Sequence, residues 1–469
     1  MDAVNATRLG QVRRWGFLVA LAAGGAAPST AQVTVPPSLI LPNYERLPIG
    51  QREGIEGGAF VARTNDAAAA WYNPAGLGQS KKSALNASAT AYEWTSMELE
   101  GFGTSEGRSR ISSIGTLLSF VIGEDVIHSR NWRFGFAITR PVVWQPSSIA
   151  LAFTLQGGDE LLAYATDVDL DVMIPSLSAA YVPGGAGTGK LRLGAGLGMA
   201  ITTLGQSVNF SDRVTTPTAA SVAERDFSAD GQVWHLIPTV GLQWDVTPSI
   251  AFGTRVSAPG MRVLGSSRMR LQTSRYSNIE VRDLIFADTS LKLDYKQPLA
   301  AAAGVSFHVL KADVEIDVHY FGALDPYAMY ASELPGRFTV DSGAGPTVTS
   351  VPFTTTTNSA RSVVNFAIGG SRPLSRTIRV HAGVSTDQSP VDQSQSMFRQ
   401  VNLKRFTAGF SLTGARLSGS LGFGYSAGSG TRQTLGSTEG GQQTTTRLNV
   451  KTANLLFALS YGVGGRTPQ

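Results

Sequence analysis

The chain has 469 residues, 52 glycines, no cysteine and a formal net charge of +5, and only 16% of its residues are charged. About 25% is usual for soluble domains, so the low charge disfavours an ordinary soluble protein. The absence of cysteine excludes disulfides, and the scattered basic residues give no reason to expect a nucleic-acid partner.

The first element in the chain is a short apolar stretch at residues 15–27, directly after Arg13 and Arg14. It is shorter than the roughly 20 residues that a membrane-spanning helix needs. Small residues follow it up to Ala31, as they do before a signal-peptidase site. We therefore predict a secretory signal peptide over residues 1–31.

The next element is a short helix in a region that has little strand patterning. Asn65 or Asp66 is a candidate N-cap ahead of four alanines, which strongly favour a helix. Pro74 should end this helix and hold Asn73 in an extended conformation, because the residue before a proline is pushed out of the helical region. Gly76 then permits a sharp turn.

From about residue 83 onward, apolar and polar residues alternate in segments separated by turn-forming residues, which predicts strands. The clearest strand is Ala312–Phe321, with one apolar face and one face that carries Asp313, Glu315 and Asp317. Unpaired charge is too costly for a dry core, so we expect these carboxylates to line a wet lumen. The apolar face then meets lipid.

The same alternation recurs along the rest of the chain. It is clear at residues 83–94, 132–139, 191–201, 250–257, 416–426 and 455–461. Counting such segments gives roughly 13 to 17 strands, and bacterial barrels have an even number. A soluble sandwich or propeller would also alternate, but the polar faces here are unusually small. We predict an all-β fold, a transmembrane antiparallel β-barrel, with extracellular loops at 343–358 and 428–446.

A resemblance to a known family begins at the predicted helix. It is carried by Trp71, Tyr72, Asn73, Pro74, Ala75, Gly76 and Leu77, preceded by Asp66 and small residues. This run resembles the N-terminal signature of the FadL family, outer-membrane transporters of long-chain fatty acids and aromatic hydrocarbons. Residues 379–391, 407–410 and 422–425 resemble later strands of that family. Residues 57–63 are bulkier than the family's run of glycine and alanine.

The resemblance implies a barrel of about 14 strands over residues 83–464, with residues 32–82 folded inside it as a hatch. It also implies that Trp71, Tyr72, Asn73, Pro74, Ala75 and Gly76 shape a substrate gate. The expected function is passive uptake of hydrophobic compounds, such as long-chain fatty acids, by lateral diffusion into the membrane. The expected protein is a monomer among the lipid and lipopolysaccharide of the bacterial outer membrane, with no cofactor and no catalytic or metal residues.

Two other functions share this topology. Some relatives of the family act as scaffolds of protein secretion, and the long Ser/Thr-rich loops would then bind a protein. The third interpretation is a barrel lipase or acyl hydrolase, because residues 424–428 match the Gly-x-Ser-x-Gly pattern around Ser426. That chemistry needs a strand-to-helix turn, and here a strand leads into a loop instead.

The remaining polar motifs indicate a solvated barrel interior more strongly than a phosphate-binding or metal-binding site. Residues 184–190 nearly match a phosphate-binding loop but lie between two strands, and the histidines lack metal spacing. His319 shares a face with Asp317, so a metal or proton role is the minor alternative. Arginines on polar faces could pair with a substrate carboxylate, but the sequence singles out none of them. The candidates are Arg133, Arg192 and Arg255.

Overall fold

The structure is a computed structural model. It describes residues 32–36, 38–99, 103–105, 114–145, 149–154, 160–184, 191–215, 220–392, 398–433 and 445–463. The predicted signal peptide and residues 464–469 lie outside this part of the chain. Within it, no helix is long and apolar enough to span a membrane.

Nearly all regular structure in the described residues is β-strand. The helices are α1 (Ala69–Tyr72), the 3₁₀-helix η1 (Pro74–Gln79) and α2 (Glu124–Ile127). The strands are β1 (Ala84–Leu99), β2 (Gly103–Ser105), β3 (Ile114–Ile122), β4 (Trp132–Trp144), β5 (Ile149–Thr154), β6 (Glu160–Tyr181), β7 (Leu191–Thr215), β8 (Ala220–Thr247), β9 (Ile250–Ser257), β10 (Met261–Ser277), β11 (Val281–Leu293), β12 (Ala300–Val309), β13 (Ala312–Phe321), β14 (Leu324–Ala331), β15 (Gly336–Asp341), β16 (Pro346–Val351), β17 (Thr356–Ala360), β18 (Val363–Pro373), β19 (Ile378–Asp387), β20 (Asn402–Thr413), β21 (Leu417–Gln433) and β22 (Thr445–Gly462).

These segments form a closed antiparallel barrel of 14 strands, which confirms the predicted fold class. The number of segments is larger because several wall strands are interrupted and then continue in the same direction. The wall strands that comprise more than one described segment are β2–β3, β4–β5, β9–β10, β11–β12, β13–β15 and β16–β18. Pairing of β22 with β1, from Ala84–Gly462 to Leu99–Leu448, closes the cylinder and leaves no free sheet edge there.

The two ends of the barrel differ in their connections. At one end, β8 joins β9 and β12 joins β13 through two residues each, with Leu310 and Lys311 at positive φ. We call this the short-turn end, and it also holds the start of β1 and the end of β22. The opposite end, called the long-loop end, carries connections such as residues 388–401.

The outer face of the wall is a band of exposed apolar side chains. In β22, Leu455, Phe457, Leu459 and Tyr461 are 38–46% exposed while the residues between them are covered. This confirms the alternation predicted for residues 455–461. Exposed apolar area of this extent marks a surface that contacts lipid or another partner, and a closed barrel with such a band suits a bilayer.

One predicted loop is wrong. The stretch 343–358 forms β16 and the start of β17, and β16 pairs with β15 from Gly336–Val351 to Asp341–Pro346. Its threonines and valines are β-branched residues that favour strands, and an available partner strand decides the outcome. In the other predicted loop, 428–446, β21 extends to Gln433, and residues 434–444 lie outside the described part.

The predicted helix and kink are confirmed in outline. Helix α1 is a single turn whose N-cap is Ala68, so the prediction of Asn65 or Asp66 as N-cap is wrong. Asp66 Oδ1 instead accepts a hydrogen bond from the Ala68 amide at 2.8 Å, in the turn that precedes the helix. Asn73 is extended at φ −164° and ψ 108°, as expected before Pro74. The chain then enters η1 with that proline in its first turn, where its missing amide hydrogen is harmless.

Candidate functional site

Residues 32–82, here called the N-terminal segment, lie against the covered side of the wall strands. Near the long-loop end, Val33 forms a bridge with Phe353. Near the short-turn end, the Ser80 carbonyl accepts a hydrogen bond from Arg133 Nε at 2.7 Å. Most of the side chains between these points are buried. The segment therefore follows the inner surface of the barrel from one end toward the other.

Part of this segment is held by two carboxylates of β13. Asp317 Oδ2 accepts hydrogen bonds from the backbone amides of Phe60 and Val61 at 2.8 and 3.1 Å. Glu315 Oε1 accepts one from the Ala62 amide at 2.6 Å. Both side chains are 0% exposed, so the expectation that they line a wet lumen is wrong. Backbone amides of the N-terminal segment, instead of an open lumen, therefore face both carboxylates.

An arginine completes this contact. Arg63 Nε lies 2.9 Å from Glu315 Oε2, and Arg63 also pairs with Glu56. On its other side Glu56 forms a 2.6 Å hydrogen bond with His381 of β19. We call Glu56, residues 60–63, Glu315 and Asp317 the charged clamp. It ties the N-terminal segment to two wall strands through buried charges.

The Asn-Pro-Ala turn packs on two glycines of the wall. A Cβ atom at Gly194 would lie 2.2 Å from the Ala75 nitrogen, and one at Gly241 would lie 2.1 Å from Asn73 Oδ1. Only glycine permits so close an approach. Asn73 Nδ2 also donates to the carbonyl of Leu242 at 3.0 Å. The turn is thus fitted to the wall near the short-turn end.

A cavity of about 160 Å³ lies between the N-terminal segment and the wall, level with the middle of the barrel. Its apolar lining includes Leu47, Ile49, Val61, Trp71, Val142, Ile174, Ile237 and Phe321. Of the residues predicted to form a gate, Trp71 and Tyr72 line this cavity. Asn73, Pro74, Ala75 and Gly76 are not among its lining residues in the described chain; they fix the turn that follows.

One side of the cavity carries a hydrogen-bonded glutamate. Glu45 pairs with His319, and Asn365 Nδ2 donates to Glu45 Oε2 at 2.8 Å. Arg405 Nη2 donates to the Glu45 carbonyl at 2.8 Å. The described residues contain no group of His, Asp and Glu side chains that could hold a metal. His319 is therefore engaged in fixing the N-terminal segment.

Arg255 faces the cavity and has no ion pair with a carboxylate in the described chain. Its Nη1 donates to the Trp71 carbonyl at 2.7 Å, and the guanidinium lies 5.5 Å from the Trp71 ring centroid. Its buried Nε has no hydrogen-bond partner. By contrast, Arg133 pairs with Glu124 at 3.0 Å, and Arg192 pairs with Asp245. Among the three predicted arginines, only Arg255 can meet an anion inside the cavity.

The wall is interrupted beside the cavity, between β3 and β4. Their pairing stops at Leu117–Thr139, although β3 continues to pair with β1 as far as Ile114. Beyond that point the Pro141 carbonyl accepts a hydrogen bond from the Leu47 amide at 3.0 Å. Proline cannot donate to a ladder, so Pro141 inside a strand was the one sequence signal for this break.

Apolar side chains fill this interruption from inside. Leu47 of the N-terminal segment forms a buried cluster with Ile114 and Val143, which we call the apolar plug. Arg46 Nε donates to the Val143 carbonyl at 2.9 Å and pairs with Glu93 at 2.7 Å. The sequence carries no signal that singles out Leu47, because its role depends on which strands lie beside it.

The serine of the hydrolase-like pattern lies inside a strand. Ser426 is in β21, which continues to Gln433, and its Oγ accepts a 3.3 Å hydrogen bond from Arg405 Nε. The strand-to-helix turn that a nucleophile elbow needs is absent at this position. In the phosphate-loop-like stretch, residues 185–190 lie outside the described chain, between β6 and β7.

Several solved structures are similar in fold to this chain. The Pseudomonas putida toluene transporter TodX is 14% identical with a TM-score of 0.57, covering 90% of this chain and 100% of that one. The Ralstonia pickettii toluene transporter TbuX is 16% identical, with a TM-score of 0.54 and coverage of 90% and 99%. A Pseudomonas aeruginosa FadL homologue is 14% identical, with a TM-score of 0.54 and coverage of 92% and 100%. No protein-family model and no curated protein matches the chain. The fold therefore matches that of the FadL/TodX hydrocarbon transporters, as the sequence resemblance predicted.

Proposed function

We propose that this protein is a passive transporter of the bacterial outer membrane that takes up hydrophobic compounds by lateral diffusion. The observation that carries the proposal is the apolar cavity enclosed between the N-terminal segment and the wall, directly beside the interruption between β3 and β4. The similar folds of toluene transporters and of a FadL homologue support it. The short-turn end then faces the periplasm.

The exit route is sideways, through the interruption. Pro141 and Val142 line the cavity on one side of it, and Leu47 of the apolar plug lines it from within. An apolar molecule that moves from the cavity into lipid keeps its surface out of water, whereas release into the periplasm would expose that surface. Displacement of Leu47 is therefore the opening step.

In this proposal the N-terminal segment is the hatch, and the predicted gate residues position it. Trp71 and Tyr72 contact the substrate, because they line the cavity. Asn73, Pro74, Ala75 and Gly76 hold those two aromatic residues at the correct height by docking on the glycines of β7 and β8. A monomer suffices for this transport, which uses no cofactor and no chemical step.

The proposed substrates are hydrophobic carboxylic acids such as long-chain fatty acids. Arg255 offers a guanidinium with an unpaired Nε to a carboxylate, and such charge-assisted pairs are strong. The apolar lining receives the hydrocarbon part. A cavity of about 150 Å³ is known to hold benzene, so 160 Å³ accommodates a compact section of the ligand, with the rest of its chain toward the plug.

Ligand titration of the purified, folded barrel tests the assignment. We expect saturable binding of a long-chain fatty acid, and Arg255→Gln should weaken acid binding by about tenfold or more while a matching long-chain alcohol is unaffected. Arg268→Gln, at an exposed arginine paired with Asp230, is the matched control. Equal binding of acid and alcohol in both forms would assign neutral hydrocarbons instead. No binding of acids, alkanes or aromatics would contradict transport and favour a secretion scaffold.

A further inference from the structure

A second interruption of the wall lies between β18 and β19. Their ladder runs from Pro373–Arg379 up to Ala367–Ser385 and then stops. It is resumed only at an isolated bridge between Ala360 and Val391. Residues 361–366 and 386–390 face each other between these two points. We call this stretch the β18–β19 window.

Each of the two strands keeps its other neighbour at this level. In β18, Val364 still pairs with Tyr320 of β13. In β19, Thr386 still pairs with Lys404 of β20. The wall as a whole is therefore ordered on both sides, and the missing backbone pairs are confined to the seam between β18 and β19.

Side chains bridge the window where backbone bonds are missing. The Phe366 amide donates to Thr386 Oγ1 at 3.0 Å, and the Gln388 amide donates to Asn365 Oδ1 at 2.8 Å. Above them, the Arg361 amide donates to the Pro390 carbonyl at 2.9 Å. Side-chain bridges can swing away by rotation about χ1, whereas a backbone ladder must separate as a unit.

At the window, a single layer of residues separates the cavity from the outer surface of the barrel. Ala367, Ser385 and Thr386 line the cavity, and so does Phe366, although its ring is 54% exposed on the outer surface. Ser385 Oγ is buried and has no hydrogen-bond partner in the described chain. The outer surface here belongs to the apolar band, since Phe366 pairs with the exposed Val318.

We propose that the β18–β19 window is a second lateral opening, closed by Phe366 and Thr386, through which apolar molecules pass between the cavity and the membrane. This inference rests on the proposed function for its cargo, but the opening itself is a property of the wall. Behind the window, polar groups of the N-terminal segment bind the two strands: Asn43 Nδ2 donates to the Asp387 carbonyl at 2.9 Å, and the Glu45 carboxylate accepts a hydrogen bond from Asn365. The Asn365 side chain binds the Gln388 amide across the window and the Glu45 carboxylate behind it. When the bond to Glu45 breaks, the Asn365 side chain is free to rotate away from Gln388.

Cysteine labelling in liposomes tests the opening without requiring transport. The chain has no native cysteine, so Phe366→Cys and Ile368→Cys each introduce a single thiol on the outer face of β18. Ile368 is a matched control, because it is similarly exposed but pairs with Val384 inside the intact ladder. A thiol that contacts only lipid cannot ionise and does not react with a membrane-impermeant maleimide.

We expect the thiol of Phe366→Cys to react about tenfold faster than the thiol of Ile368→Cys, because water from the cavity reaches it when the window opens. Adding Thr386→Val removes the hydroxyl that accepts a hydrogen bond from the amide of residue 366. This second substitution should raise the labelling rate of Phe366→Cys further. Equal, slow labelling of both variants, with and without Thr386→Val, would overturn the proposal. Fast labelling of Phe366→Cys in a protein that takes up no hydrophobic compound would retain the opening and reject the transport function.

Discussion

Two of the contacts that hold the N-terminal segment in the barrel, the charged clamp and the apolar plug, are built from opposite chemistry. At the charged clamp, Glu315 and Asp317 are buried and accept hydrogen bonds from backbone amides of the N-terminal segment, and Glu315 also pairs with Arg63. At the apolar plug, Leu47 packs on Ile114 and Val143, and a single backbone hydrogen bond reaches the wall from Leu47 itself.

This difference indicates that the charged clamp is a fixed anchor and that the apolar plug can move. Loss of one partner of a buried ion pair costs about 3–5 kcal/mol, because it leaves an uncompensated charge. Apolar contacts have no preferred direction, and a hydrophobic ligand can replace a leucine side chain without leaving any polar group unsatisfied. We therefore expect the segment to stay attached at the clamp while its plug moves.

The largest effect should come from breaking the clamp. Glu315→Gln removes the charge that faces Arg63 and places an amide against the Ala62 backbone amide. We expect the N-terminal segment to lose about 3–5 kcal/mol of stability, while the barrel remains folded. Hydrogen exchange should show faster exchange at Phe60 and Ala62. Asp325→Asn, at an exposed carboxylate, is the control, and unchanged protection of these amides would contradict the anchor.

A mutation in the plug should affect transport more than attachment. Leu47→Ala removes apolar contacts worth about 2–5 kcal/mol when a leucine is fully buried. We expect faster uptake of a hydrophobic substrate into liposomes, because the interruption between β3 and β4 is less obstructed. Leu334→Ala, at a half-exposed leucine, should leave the rate unchanged. A rate for Leu47→Ala equal to that of the wild type would remove the plug from the mechanism.

A smaller effect should follow from Asn73→Ala, at the turn that packs on the glycines of β7 and β8. The amide group of Asn73 donates to the carbonyls of Val61 and Leu242. Its loss leaves buried groups unsatisfied, which costs about 1–3 kcal/mol. We expect slower uptake, because Trp71 and Tyr72 lose their fixed position, in a barrel that still migrates as folded. Asn209→Ala is an exposed control. Normal uptake in Asn73→Ala would count against a positioning role for the turn.

The smallest effect should be a pH dependence between the two contacts, at Glu53. Burial and the nearby Asp66 raise the pKa of Glu53 to about 7. The folded state then binds this proton more tightly than the unfolded state does. Its stabilising contribution is complete below the usual glutamate range and is lost as the pH rises through about 7.

Melting temperatures at pH 5 and pH 8 check this sign. Glu53→Gln should raise the melting temperature at pH 8 by about 2–4 °C relative to the wild type and make little difference at pH 5. Glu333→Gln, at an exposed glutamate, should change neither value. A wild-type protein that gains stability from pH 5 to pH 8 relative to Glu53→Gln would show that the shift has the opposite sign.

The barrel could be predicted from the sequence because its cause is local. Alternation with a period of two specifies a strand and both of its faces, as Ala312–Phe321 shows. The kink at Asn73 was equally predictable, since Pro74 restricts the residue directly before it. The strand β16 was missed because Gly343, Gly345 and Pro346 at its start indicate a turn, whereas the pairing with β15 that makes it a strand is not visible in the sequence.

The site could be predicted only in part, because its contacts join residues that are far apart in the chain. The carboxylates of β13 were visible on one face, but their partners lie some 250 residues earlier, at residues 60–63. Because those partners could not be recognised in the sequence, the carboxylates of Glu315 and Asp317 were expected to face water. Arg255 stands out from Arg133 and Arg192 only when the carboxylates beside each arginine are known.

The most direct test of the account is to lock the apolar plug and measure uptake. In this cysteine-free chain, Leu47→Cys and Ile114→Cys replace two side chains of one buried cluster, and oxidation or a short bismaleimide joins them. Because the charged clamp is untouched, the locked protein should still bind a hydrophobic ligand. We expect its uptake into liposomes to fall strongly and to recover when the disulfide is reduced. Uptake at the same rate in the locked and reduced forms would contradict lateral release past Leu47.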